Sequence, residues 1–147
     1  MMKRWMGIDL GRARIGLAIS DPLRLIAQGV ETLPSLGFQS DIVQIGQRIN
    51  HYHVERVIIG WPIHLNGAPT QQSQYAEKFA EKLGLHITIP VFLVDERLTS
   101  MQAEQILREG NFSRSSRQKK IDQVAAALIL ESALKGSPLI SVPHADH

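Results

Sequence analysis

The chain has 147 residues, 44% of them hydrophobic and 20% charged, which is enough for one soluble domain whose core needs no covalent staples. It has no cysteine, so disulfides, zinc-thiolate sites and thiol nucleophiles are excluded, and any metal must sit on oxygen or imidazole. The net charge of +2 permits nucleic-acid binding without requiring it.

Lys3 and Arg4 are followed by no apolar signal region, and the longest apolar run, Val124 to Leu130, is far too short to span a bilayer. A cytoplasmic protein with no membrane partner is expected. Met6, Ile8 and Leu10 alternate with Gly7, Asp9 and Gly11, and Ile15, Leu17 and Ile19 alternate with Gly16, Ala18 and Ser20. This period of two predicts a pair of strands joined by a tight Gly-Arg-Ala-Arg turn. It also places Asp9 inside a strand, where an ionised carboxylate is costly unless it is paired or bound to a cation. The neighbouring glycines leave room for a metal, a phosphate or another backbone to come close. A strand-end Asp hydrogen-bonded to its own turn is the plainer alternative.

Asp21-Pro22 marks a turn, and Leu25 to Leu33 predicts a third strand that ends at Pro34 to Gly37. Ser40 is placed to cap a helix with Ile42, Ile45 and Ile49 on its buried face, ending near His51 and His53, whose charge suits a helix C-terminus. Val54 to Gly60 predicts a buried strand and Trp61 to Pro69 a loop in which Trp61 serves as a half-buried anchor or, with His64, stacks on a base. Thr70 starts a second helix with Ala76, Phe79, Ala80 and Leu83 inward and Gly84 at its end. Ile89 to Val94 is the fifth strand and leads into Asp95, Glu96 and Arg97. Thr99 and Gln102 fit a capping box for a helix over Ser100 to Glu109, stopped by Gly110. Asn111 to Lys120 is polar and basic and is expected to be a mobile loop. Ile121 to Lys135 is a last helix, apolar on nearly every face and so packed on two sides. Residues 1–136 form the expected domain, and 137–147, with two prolines, a loose tail. Three meandering strands followed by β-α-β-α-α indicate an α/β mixed sheet flanked by helices.

Three acids have apolar surroundings: Asp9, Glu96 and Asp122. If they converge, their mutual repulsion raises their pKa values and a hard divalent cation, Mg²⁺ or Mn²⁺, relieves it. Two such ions about 4 Å apart can activate water on one side of a phosphodiester and stabilise the leaving oxygen on the other. Asp95 competes with Glu96, since adjacent strand residues point to opposite faces. Asp122 has an alternative role in compensating a helix N-terminus, by about 0.3 to 1 kcal/mol. Arg114, Arg117, Lys119 and Lys120 lie just before Asp122, and Arg12 and Arg14 in the first turn extend the same basic surface toward a nucleic-acid backbone.

The strings GIDLGRARIGLAISD, GWPIHLNG, VDERLTSMQAE and KKIDQVAAALILES, in this order and spacing, resemble the YqgF (RuvX-like) family of bacterial nucleases, from about Met6 to Gly136. The resemblance implies an RNase H-like, five-stranded mixed sheet of order 3-2-1-4-5. It implies a divalent-metal nuclease site, catalytic and metal-binding, built from Asp9, Glu96 and Asp122, and it favours Glu96 over Asp95. Its implied substrates are a Holliday junction or the 5′ end of the 16S ribosomal RNA precursor, the first suited to a homodimer and the second to a monomer. The family's middle loop usually reads like GLPLNMDG, and here Asn66 stands where that loop has Asp. Two other readings stand beside it. One is a non-catalytic RNA- or ribosome-associated module of the same fold. The other is an actin-like or sugar-kinase ATPase, which would need a second such subdomain.

Overall fold

The computed structural model describes residues 3–96, 99–108 and 114–143. Strand alternation builds a central sheet in which β1 (Arg4–Leu10), β2 (Arg14–Ser20) and β3 (Ala27–Pro34) form an antiparallel meander. β4 (Val54–Trp61) pairs parallel with β1, and β5 (Val91–Asp95) parallel with β4. The order is β3-β2-β1-β4-β5-β6, so the first five strands stand as expected. The sixth, β6 (Ile140–Ser141), runs antiparallel along β5 and corrects the expectation of a loose tail over 137–143. Its cause is local: the Val142 amide bonds to the Val91 carbonyl and the Val142 side chain is buried against the core. His144 and His147 lie outside the described residues.

The period of two sorts each strand between two cores. Met6, Ile8, Ile15, Leu17, Val57, Ile59, Val91 and Leu93 face α1 (Phe38–Tyr52) and α2 (Gln71–His86), and meet Ile45, Phe79 and Leu83 there. Ala18, Ile58 and Val94 face the other way, onto Ala126, Ile129 and Leu130 of α4 (Arg114–Leu134). α3 (Thr99–Arg108) packs on α4, so the last helix is covered by the sheet and by α3, in keeping with its all-round apolar composition. Glu109, Gly110 and Arg97 lie outside the described residues.

Helix starts follow the available caps. Thr70 caps α2, and its hydroxyl accepts the Ser73 amide while the Ser73 hydroxyl accepts the Thr70 amide, as in a capping box. The helix passes Gly84 and ends at His86. At α1 the expected Ser40 cap gives way to Gly37, with Ser40 inside the first turn. The buried Asp41 reaches back past the cap, taking the Leu36 amide at 2.8 Å and the Ser35 hydroxyl at 2.5 Å.

α4 starts at Arg114, so the basic stretch from Arg114 to Lys120, expected as a mobile loop, is helical. Tertiary contacts carry the extra turns. The Thr32 hydroxyl on β3 donates to the Lys119 carbonyl at 2.8 Å and accepts from the Gln123 amide at 3.2 Å. Asn111 to Ser113 lie outside the described residues.

Candidate active site

The glycines of the meander make room for α4. A Cβ on Gly7 would stand 2.6 Å from the Ala126 carbonyl oxygen, and one on Gly16 would overlap the backbone of Asp122. The clearance noted in the sequence thus serves another backbone, that of α4, which lies almost on the sheet. Gly16 is also the register partner of Asp9 on β1. Asp9 shares the α4 side of β1 with Gly7, two residues away, so it points toward the place where Asp122 comes down.

Glu96 reaches the same side from the end of β5. Its amide donates to the Trp61 carbonyl, and a Cβ on Gly60 would stand 2.6 Å from its carboxyl carbon. Glu96 is 9% exposed and Asp122 8% exposed, while Asp9 is half-buried. Asp95, one residue earlier, is exposed, and strand alternation puts it on the other face. Asp122 is the ninth residue of α4, more than two turns in, so compensation of the helix N-terminus does not account for it.

Asp9 feels the charge of Asp122, and Glu96 that of Asp9. Burial first, and then the charge of Asp122, push Asp9 up to about 7, against the opposing pull of Arg14. Burial, Asp9 and Asp95 hold Glu96 well above the ordinary glutamate range. Asp122 is also raised by burial, against the hydrogen bond and charge of Arg14. Arg14 Nε donates to Asp122 Oδ2 at 2.6 Å and Nη2 donates to Gln118 Oε1 at 3.1 Å. Arg14, expected on the outer basic surface, therefore turns inward to the acids. Arg12, Lys119 and Lys120 are exposed and Arg117 is half-buried. Arg117, Lys119 and Lys120 lie on the α4 turns just before Asp122, and Arg114 opens the helix.

As a donor set, three carboxylates without thiolate fit a hard divalent ion, and two of them gain from one because burial and mutual repulsion oppose their ionisation. The carboxylates are gathered but not closed: among the described residues, no group of three acidic or imidazole side chains stands at ion-holding distance. Asp122 is committed to Arg14 in this arrangement.

Some contributors carried no signal in the sequence. The Gln72 amide, in the first turn of α2, donates to the Leu10 carbonyl at 2.8 Å and ties the end of β1 to that helix. Nothing in its spacing marks it. Gln118 precedes Asp122 by one helical turn and was hidden only by the expectation of a loop. In the middle loop, Trp61 is half-buried and its indole donates to Glu77 at 3.2 Å, as an anchor does. Asn66 Oδ1 accepts the Ala68 amide, so this residue shapes the turn.

Fold and site together define a mixed α/β protein with an acidic centre where the carboxyl ends of β1, β4 and β5 meet α4. The chain belongs to the RuvX family, described as Holliday junction resolvase, whose pattern matches residues 3–136. A protein of Caldanaerobacter subterraneus named "Putative pre-16S rRNA nuclease" is 44% identical over 132 residues, 89% of this chain and 95% of the relative. A protein of the same name from Geobacillus kaustophilus is 41% identical, over 89% of this chain and 96% of its own. In fold, the chain is similar to T. thermophilus RuvC solved in complex with a Holliday junction substrate (TM-score 0.60, 13% identity, 94% of this chain and 99% of that one). It is also similar to the Fowlpox virus resolvase solved with junction DNA (TM-score 0.52, 15% identity, 90% and 97%).

Proposed function

We propose that the chain is a divalent-ion-dependent nuclease that hydrolyses phosphodiester bonds of structured nucleic acid in the cytoplasm, with Asp9, Glu96 and Asp122 as its catalytic, ion-holding carboxylates. The observation that carries this reading is the convergence of three desolvated acids from β1, β5 and α4 on one side of the sheet. A structural role does not explain such a group, because clustered, buried like charges weaken a fold unless a cation joins them.

Mg²⁺ or Mn²⁺, two ions in the full site, would supply an activated water and neutralise charge at the reacting phosphate. The chain's own residues do the rest. Asp9 is coupled by charge to Asp122, and Glu96 to Asp9; these three carboxylates would hold the ions. The Gln72 bond to Leu10 and the Glu96 bond to Trp61 fix the backbone at the strand ends, which limits how far the acids can drift. Arg12, Arg14, Arg114, Arg117, Lys119 and Lys120 are the residues assigned to the nucleic-acid backbone, where phosphate contacts position without reading sequence.

The substrate favoured is the 5′ end of the 16S rRNA precursor, since relatives 38–44% identical over most of the chain carry the name pre-16S rRNA nuclease. A four-way DNA junction is the second substrate, on the strength of the family description. A junction cut symmetrically calls for a two-fold dimer, and end trimming does not. The test incubates the chain with a precursor rRNA fragment and with a synthetic junction, each in Mg²⁺, in Mn²⁺ and in chelator. Ion-dependent products with 5′-phosphate and 3′-hydroxyl ends are expected, lost in Asp9→Asn while binding persists. Cleavage that survives chelation or that substitution overturns the assignment, and binding without cleavage of either substrate supports a non-catalytic module.

A further inference from the structure

Arg14 opens β2 and reaches across the sheet to α4. Its Nε and Nη2 donate to Asp122 Oδ2 and Gln118 Oε1, two acceptors one helical turn apart that together grip one edge of the guanidinium. The two partners differ in exposure: the Arg14 side chain is 38% exposed and that of Asp122 12%. The carboxylate is therefore inside, and part of the Arg14 side chain reaches solvent beside it.

Two demands fall on this pair. An ion held by the three acids draws on the Asp122 carboxylate, whose Oδ2 Arg14 now occupies. A phosphodiester laid over the acids brings negative charge to the open edge of a planar donor fork suited to phosphate. Both events pull the pair apart, and each makes the other easier.

Resting on the reading of the three acids as an ion site, we propose that Arg14 is an exchangeable counter-ion. It pairs with Asp122 in the ion-free protein and passes to a substrate phosphate when Asp122 turns to a divalent ion. Arg14 is then a positioning residue that couples two binding events. Ion and nucleic acid tighten one another by a common factor, as linkage requires. The ion-free chain also keeps its acidic centre partly neutralised, which lowers the barrier to the approach of a polyanion.

The experiment titrates Mn²⁺ by electron paramagnetic resonance into the full-length wild type, Arg14→Gln and Gln118→Ala, alone and with a phosphorothioate-linked RNA hairpin that resists cleavage. Arg14→Gln should bind Mn²⁺ alone more tightly, on the order of tenfold, because the competing charge-assisted bond is gone. The hairpin should then tighten Mn²⁺ at least severalfold less in Arg14→Gln than in the wild type. Gln118→Ala loosens the grip without removing the charge and should move Mn²⁺ affinity the same way by a smaller factor; being a surface change, it serves if Arg14→Gln does not fold. Mn²⁺ affinity that is unchanged or weaker in both variants, or an equal effect of the hairpin in all three proteins, would overturn the exchange and leave Arg14 as a fixed support for Asp122. An Asp122→Asn control separates the two layers of the argument. Wild-type Mn²⁺ binding that this substitution does not touch would overturn the ion site itself, and the exchange with it.

Discussion

Asp9→Asn should stabilise the ion-free protein while destroying its proposed activity. In the unfolded chain the Asp9 carboxyl ionises near its ordinary value of 3.8, and in the fold near about 7. Below both values the group is protonated in either state and costs nothing. As pH rises from 3.8 toward 7 the unfolded chain releases the proton and the folded chain keeps it, so stability falls across that window and is level above it. Opposition to ionisation over this range corresponds to about 4 kcal/mol at pH 8. An asparagine amide removes the charge but is itself half-buried, at a cost of roughly 1 to 3 kcal/mol. The net gain is about 2 kcal/mol, which for a denaturant slope of about 1.5 kcal/mol per molar moves the urea midpoint up by about 1 M. Urea unfolding of wild type and variant in chelator, at pH 8 and at pH 4, reads this directly. The gap should be present at pH 8 and absent or reversed at pH 4. A variant less stable than wild type at pH 8, or a gap equal at the two pH values, would show that Asp9 is not held against ionisation and would remove the electrostatic case for an ion site.

Glu96→Gln should abolish cleavage with the fold intact, whereas Asp95→Asn, on the opposite face, should leave it within about tenfold, the cost of one altered neighbouring charge; loss in both on a gel assay would refute the assignment by face. Gly16→Val puts a branched side chain into the backbone of Asp122 and should cost at least about 3 kcal/mol in chemical unfolding, since overpacking here is against main chain and has no easy relief. A variant that melts with the wild type would contradict the close approach of α4. Lys120→Ala should weaken nucleic-acid binding uniformly across sequences and lower the slope of log affinity on log salt by about 1. An unchanged slope in filter binding removes Lys120 from the contact set.

Much of the sheet was legible because β1 and β2 alternate with a period of two and β4 and β5 read as short apolar runs. The same alternation that marks Met6, Ile8 and Leu10 as core sends Asp9 to the α4 side and separates Glu96 from Asp95. Asp122 was legible only as an acid beside an apolar run; its depth in the helix was not, because Arg114 to Lys120 reads as solvated and is tied down as helix by Thr32, a residue distant in sequence. The inward contacts of Arg14 were hidden for a similar reason. A cation in a turn points outward by default, and only the third dimension supplies Asp122 and Gln118, more than a hundred residues away. The Ser40 cap gave way to Gly37, and the turn before the helix is held instead by the buried Asp41, whose carboxylate reaches back to Ser35 and Leu36.

The short β6 has a practical consequence for anyone trimming the gene. A protein cut after Gly136 would keep every position of the matched pattern and lose the two residues that flank Phe92 and Leu93. The strand whose tip bears Glu96 would then become a bare border, with amides and carbonyls open to recruitment by a neighbouring molecule. Shortened versions should therefore clump or pair edge to edge, and weak turnover in such preparations would report on that lost hem and not on the chemistry.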